Sequence, residues 1–167
     1  QGVNVTAGSL RMNVVSGIGS GANALETQVA TLAARSMTSG GLFLDESDGL
    51  SVGSVSAIAV NRVGDGGATT PIGDGDTTVS GLTTGLNGAL VLTTGGDSVM
   101  ANAIDASGSG NVRIDVTGTL AFQAALDAGS GHLSIHSTGA QTYTAAGDLS
   151  TSGRSEERRV GKECATL

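Results

Sequence analysis

The sequence predicts an all-β fold, a parallel β-solenoid with about 21–22 residues per coil in the C-terminal half, and three observations carry the prediction. The first is a repeat. Gly88-Ala89-Leu90-Val91-Leu92, Gly110-Asn111-Val112-Arg113-Ile114 and Gly131-His132-Leu133-Ser134-Ile135 superimpose when each is set beneath the one before. The match continues through Gly96, Gly118 and Gly139, then Met100, Phe122 and Tyr143, then Ile104 with Leu126, and last Asp105, Asp127 and Asp148. The second is alternation. Apolar residues recur at every second position, as in Val112 and Ile114 or Leu120 and Phe122, which is the period of a strand with one buried face. The third is composition: 28 of the 167 residues are glycine, and the aromatic residues are only Phe43, Phe122 and Tyr143. The core must then be a thin aliphatic layer, without the large rings that fill most globular interiors.

Each unit reads as two short strands separated by Gly-containing turns. One unit cannot bury its own apolar face; stacked at about 4.8 Å per coil it buries a continuous column and pairs its backbone with both neighbours. Glycines in register suit a corner that recurs in every coil. The competing architecture is an antiparallel β-sandwich, which also shows many short strands with regular turns but has no need of the same residue type at a fixed interval. Upstream, Gly40-Gly41-Leu42-Phe43-Leu44 restates the opening, with Leu50 and Val52 continuing the alternation, and Gly8-Ser9-Leu10-Arg11-Met12 reads as a further opening. The stretch 61–87, rich in Gly, Thr and Asp, is expected to leave the stack as an inserted loop or hairpin. Between Ala22 and Arg35 the spacing of Leu25, Val29, Leu32 and Ala33 would also fit a short helix capped by Asn23 and Glu26, but strand and turn are preferred because a coil can turn Leu25 and Val29 inward.

Residues 1–153 form the expected solenoid, and the composition changes abruptly after Gly153. Arg154 to Leu167 hold four of the eight bases and three of the fifteen acids, which leaves residues 1–153 with Arg11, Arg35, Arg62 and Arg113 against twelve carboxylates. A surface so poor in clustered Lys and Arg repels phosphate backbones and anionic lipid, so nucleic-acid binding is not expected. No apolar run approaches the roughly 20 residues that span a bilayer as a helix, and membrane insertion is not expected. Cys164 is the only cysteine, which permits an oxidising compartment without requiring one. The run RSEERRVGKEC, Arg154–Cys164, resembles the in-frame translation of a sequencing-adapter oligonucleotide. That resemblance implies a non-native tail over 154–167 and a chain whose two ends are arbitrary. Few apolar residues are available there, so the tail is expected to be disordered, with at most a frayed helical turn at Glu156–Val160.

GIGSGANALET at Gly17–Thr27, TLAAR at Thr31–Arg35, SGGLFLDESDGLSVGSV at Ser39–Val55 and the GSGN and GSGH openings are similar to long bacterial β-strand-repeat surface proteins of the filamentous-haemagglutinin type. The resemblance implies a right-handed parallel β-helix, exported to the cell surface or beyond and acting in adhesion or as a stalk. It brings no catalytic residues with it. The expected function is therefore a structural or adhesive segment of a larger secreted protein. The alternative is the scaffold arm of a larger solenoid enzyme acting on polysaccharide. Expected partners are neighbouring repeats of the same parent chain and an unspecified host or surface ligand.

No catalytic or cofactor-binding residue is assigned. Asp105, Asp127 and Asp148 would stack as a carboxylate ladder able to hold Ca²⁺ between coils, although the plainer role is to cap turns in water. Asp74 and Asp76 lie among glycines in the insertion and could collect a cation, yet Asp-Gly is ordinary turn chemistry. No metal site is therefore assigned, with Ca²⁺ as the one cofactor these carboxylates would suit. His132 and His136 share a strand face about 13 Å apart, too far for one ion. The abundant Ser and Thr have no credible His partner in the sequence.

Overall fold

Alternation decides which side chains a strand can bury, and the parallel register decides what they bury against. The computed structural model of the chain describes residues 2–58, 60–72 and 77–159, and among these all regular structure is β. Two long strands open the chain, β1 (Val5–Val14) and β2 (Leu25–Ser36). The next coil is β3 (Leu42–Glu46) and β4 (Leu50–Val52), an insertion holding β5 (Ser54–Val55), β6 (Val60–Val63), β7 (Thr69–Ile72) and β8 (Val79–Ser80), and then β9 (Leu82–Thr84). Three regular coils follow: β10 (Leu90–Thr94), β11 (Ser98–Met100) and β12 (Ile104–Ala106); β13 (Val112–Val116), β14 (Leu120–Phe122) and β15 (Leu126–Asp127); and β16 (Leu133–Ser137), β17 (Gln141–Tyr143) and β18 (Leu149–Ser150). The last strand is β19 (Ser155–Arg159). Together they make a parallel β-solenoid of about six turns.

Three parallel faces result. One stacks β3, β10, β13, β16 and β19; the second β4, β11, β14 and β17; the third β9, β12, β15 and β18. β2 crosses all three, pairing residues 25–27 with β3, 31–32 with β4 and 34–36 with β9, and β1 lies on β2 along its length. Leu90 pairs with Val112, Val112 with Leu133 and Leu133 with Ser155, so successive coils are of nearly equal length. The parallel register along every face excludes the sandwich.

The inward residues form columns. Ile18, Leu42, Leu90, Val112 and Leu133 make one; Leu25, Leu44, Leu92, Ile114 and Ile135 another; Leu32, Val52, Met100 and Phe122 a third; Ala34, Leu82, Ile104 and Leu126 a fourth. All but Leu25 are buried in a single core. Full burial of such a side chain contributes about 1.5–3 kcal/mol, and each coil supplies one per column. Tyr143 closes the third column by stacking on Phe122 at 5.3 Å between ring centroids. At the corner before the first face, Gly88, Gly110, Gly131 and Gly153 lie on one another, and a Cβ on any of the last three would collide with the carbonyl of the glycine one coil earlier.

Several expectations need correction. Each regular coil has three strands, because Ile104–Ala106 and its equivalents form a face of their own. The segment 22–35 is strand from Leu25 onward, as preferred over the helix. Gly8–Met12 is not an opening: Leu10 pairs with Leu32 on the second face, and Ile18 is the residue that meets Leu42. The insertion leaves the coil after Gly53 and returns at Gly81, whose amide bonds the Gly53 carbonyl at 2.8 Å. Antiparallel pairing of β5 with β8 forms its neck and of β6 with β7 its hairpin. Residues 82–87 thus belong to the stack and not to the inserted segment.

Of the tail expected to be disordered, Ser155–Arg159 is strand and not a helical turn, and 160–167 lie outside the described residues. The upper edge of β16 offers a row of backbone donors and acceptors that any extended segment can pair with, whatever its side chains.

Candidate functional site

Polar side chains inside a solenoid need a reason, and among the described residues the one buried ionisable group is Glu46. Alternation through Leu42 and Leu44 turns it inward, where it is only 1% exposed, stacked between Thr27 and Thr94. The cause lies in the neighbouring coil. Thr27 pairs with Glu46 and Thr31 with Ser51, so β2 takes four steps around a corner where the next coil takes five. The shorter path leaves the Val29 amide without a ladder partner, and Glu46 fills the gap. Val29 N–H donates to both Oε1 and Oε2 at 3.1 Å, and the Thr27 hydroxyl donates to Oε2 at 2.7 Å. Burial pushes the Glu46 carboxyl above its ordinary value, and the bonds from Thr27 and Val29 only partly oppose this.

Later coils solve the same corner with neutral groups. The Thr94 hydroxyl lies 2.8 Å from that of Ser98, and the Ser137 hydroxyl donates to the Gly139 carbonyl at 2.9 Å. Turn side chains also reach across coils. Asp97 Oδ1 accepts from the Thr119 amide at 2.7 Å, which holds its carboxyl below the usual range. Asn111 Oδ1 accepts from the His132 amide, and His132 Nδ1 accepts from the Arg154 amide.

On the outer side of the first face, β13 and β16 bring three ionisable side chains together. Asp115 Oδ1 lies 2.7 Å from His136 Nδ1, and its Oδ2 accepts from Arg113 Nη2 at 2.9 Å. Burial alone would raise the Asp115 carboxyl, but the hydrogen bonds and charges of His136 and Arg113 outweigh it and hold it below the ordinary range. Ser134 and Glu156 line the same shallow surface. His132 and His136 are thus engaged with different partners and do not share one.

Of the carboxylates read from the repeat, Asp105 and Asp127 are paired in register on the third face, both exposed. Asp148 is not in their column. The corner between Tyr143 and Leu149 holds two more residues than that between Phe122 and Leu126, so Leu149 meets Leu126 and Ser150 meets Asp127. The ladder is therefore two carboxylates long, continued by Thr83 on one side and Ser150 on the other. Asp74 and Asp76 lie outside the described residues. Among the described residues no three His, Cys, Asp or Glu side chains converge on a space that could hold a metal ion.

The insertion creates a recess that no sequence pattern announces. The third face carries Asn13, Arg35 and Thr83 side by side, from adjacent strands. The returning limb of the insertion, Thr77 to Ser80, passes beside them, and Arg11 Nη1 holds it there by donating to the Thr77 carbonyl at 3.1 Å. A cavity of about 210 Å³ lies between limb and face. A distant loop forms this wall, so no local spacing could have revealed it. Glu46, by contrast, is legible in the alternation Leu42-x-Leu44-x-Glu46 once Leu42 is set in register with Leu90.

No family model, no curated protein and no solved structure matches the chain.

Proposed function

We propose that the chain is a structural, adhesive repeat segment of a large secreted or cell-surface bacterial protein, with no catalysis of its own. The observation that supports this reading is the set of unbroken inward columns. The interior is consumed by packing from Ile18 to Ile135, and each interior coil pairs with the coils on both sides. Such a body grows by adding coils, each lengthening it by about 4.8 Å without new chemistry. Its outer faces and the inserted segment carry the side chains that the core does not use, and recognition can vary there without disturbing the stack. An acidic, cysteine-free body over residues 1–153 is compatible with export.

The parent gene on either side of this segment tests the reading. Further coils of the same length, together with an export signal, are the expected result. A flanking domain with a carboxylate-lined groove would overturn it in favour of a scaffold arm for a polysaccharide-active enzyme. Purified segment should also retain labelled bacteria or host matrix on a coated surface, and retention no better than that of heat-unfolded chain would remove the adhesive half of the proposal.

A further inference from the structure

The recess beneath the insertion has the composition of a ligand site. Residues 1–153 contain four bases, and two of them, Arg11 and Arg35, stand on the coils beside the returning limb of the insertion. Arg11 is committed to the Thr77 carbonyl. Arg35 is different: it is exposed, and among the described residues it makes no side-chain hydrogen bond or ion pair. Residues 1–153 hold three times as many acids as bases, yet among the described residues no carboxylate pairs with this guanidinium. It carries five N–H donors in a planar fork suited to a carboxylate.

Around Arg35 the described lining is neutral and rich in short hydrogen-bonding groups: Asn13, Thr77, Thr78, Ser80 and Thr83. Hydroxyls donate and accept, so they match a ligand that itself bears several hydroxyls. Asn102 Nδ2 donates to Ser80 Oγ at 2.8 Å, fixing one of these groups and leaving its own proton to offer. The walls are held independently of any ligand, by the β5–β8 neck, the Arg11 bond and the Gly81–Gly53 bond. The cavity, at about 210 Å³, is smaller than the roughly 300–1,000 Å³ of ordinary small-molecule pockets, which limits the occupant to about one ring.

From this geometry we infer that the recess binds a single hydroxylated carboxylate, a uronate-type sugar unit, with Arg35 gripping the carboxylate and the Thr and Ser hydroxyls engaging the ring. The inference stands apart from the adhesive reading, since a scaffold arm could carry the same recess. Among the described lining residues none is aromatic, so no side chain stacks on the ring. Affinity then rests on polar contacts and is expected on the order of 1 mM.

The test is titration of the isotope-labelled chain, followed by the amide signals of Thr77–Ser80 and Thr83. The probes are D-glucuronate, its methyl glycoside, glucose and acetate. Glucuronate should saturate these shifts at least tenfold more tightly than glucose, which lacks the carboxylate, or acetate, which lacks the hydroxyls. The methyl glycoside distinguishes a linked unit from a free sugar: equal binding places a chain-terminal unit in the recess, and weaker binding restricts it to the free acid. R35Q should weaken glucuronate at least tenfold with an unchanged Tm, because among the described residues no group is bonded to the Arg35 side chain; T83V should weaken it severalfold. No saturable shift with glucuronate, equal binding to R35Q, or acetate binding as tightly as glucuronate would each overturn the inference.

Discussion

Substituting Glu46 separates its two properties, hydrogen-bond acceptor and buried charge. In E46A the Val29 amide and the Thr27 hydroxyl lose their acceptor inside the core, at 2% and 0% residue exposure. A buried donor left unpaired costs about 1–3 kcal/mol. Thr27 can rotate toward another acceptor and Val29 cannot, so the expected loss is about 2–4 kcal/mol. E46Q keeps the shape, accepts from Val29 through Oε1 and can donate to Thr27 through its amide. At neutral pH it should stay within about 1 kcal/mol of the parent chain or exceed it, because it removes a charge from a dry corner.

The pH dependence has a definite sign. Burial raises the folded-state pKa of Glu46 above its value in the unfolded chain, so the folded state binds the proton more tightly. The associated stability is fully present below the unfolded value and is lost as pH rises through the folded one. The difference in unfolding free energy between E46Q and the parent should therefore grow with rising pH across that window. Urea denaturation followed by far-ultraviolet circular dichroism, at steps from acidic to neutral pH, reads both effects. Equal costs for E46A and E46Q would refute the role assigned to the Val29 bond. A difference between E46Q and the parent that does not change with pH would refute the buried charge.

Two further substitutions probe the corners and the outer face. G131A places a Cβ against the Gly110 carbonyl and should cost about 1–3 kcal/mol or more, whereas G66A, in a turn with no atom within 4 Å of the added carbon, should stay within about 0.5 kcal/mol; equal thermal shifts would count against coil stacking at Gly131. D115N removes a carboxylate whose side chain is 28% exposed, so its cost at neutral pH should be no more than about 1 kcal/mol. Asp115 has a lowered folded-state pKa, so its contribution is present above the unfolded value and should vanish as pH falls through the folded one, which parallel acid titrations of the two chains would show.

The repeat is legible in the sequence wherever adjacent coils match in length. Leu90, Val112 and Leu133, or Met100, Phe122 and Tyr143, align by simple counting, and each set stacks in register. Errors enter where coil lengths change. Counting places Asp148 with Asp127, but the wider turn at 144–147 advances the register by two residues. Gly8–Met12 has the residue types of an opening and none of its position, because β1 lies on a strand that runs through its corners. The third strand of each coil escapes notice because segments as short as Leu126–Asp127 are too brief to show alternation. The recess at Arg35 is illegible for another reason: its two walls, at Arg35 and at Thr77, are far apart along the chain and meet only when the insertion folds back.

These departures share a physical origin that bears on where function can sit in such a body. Coils of equal length satisfy one another, since every amide finds the carbonyl one rung away and every inward side chain meets its own kind. Little in that arrangement selects for an unusual residue. A mismatch in length leaves a backbone group without a partner, and a side chain must then answer it. At the first corner the one-residue mismatch between β2 and the next coil is answered by Glu46. At the third face a much larger mismatch, the insertion from Ser54 to Ser80, is answered by Arg11 and leaves Arg35 facing a polar recess. The buried carboxylate and the polar recess thus both lie at coil-length changes, while the charged and hydrogen-bonding groups of the regular coils from Leu90 onward, Arg113, Asp115 and His136 among them, stay on the outer faces and turns.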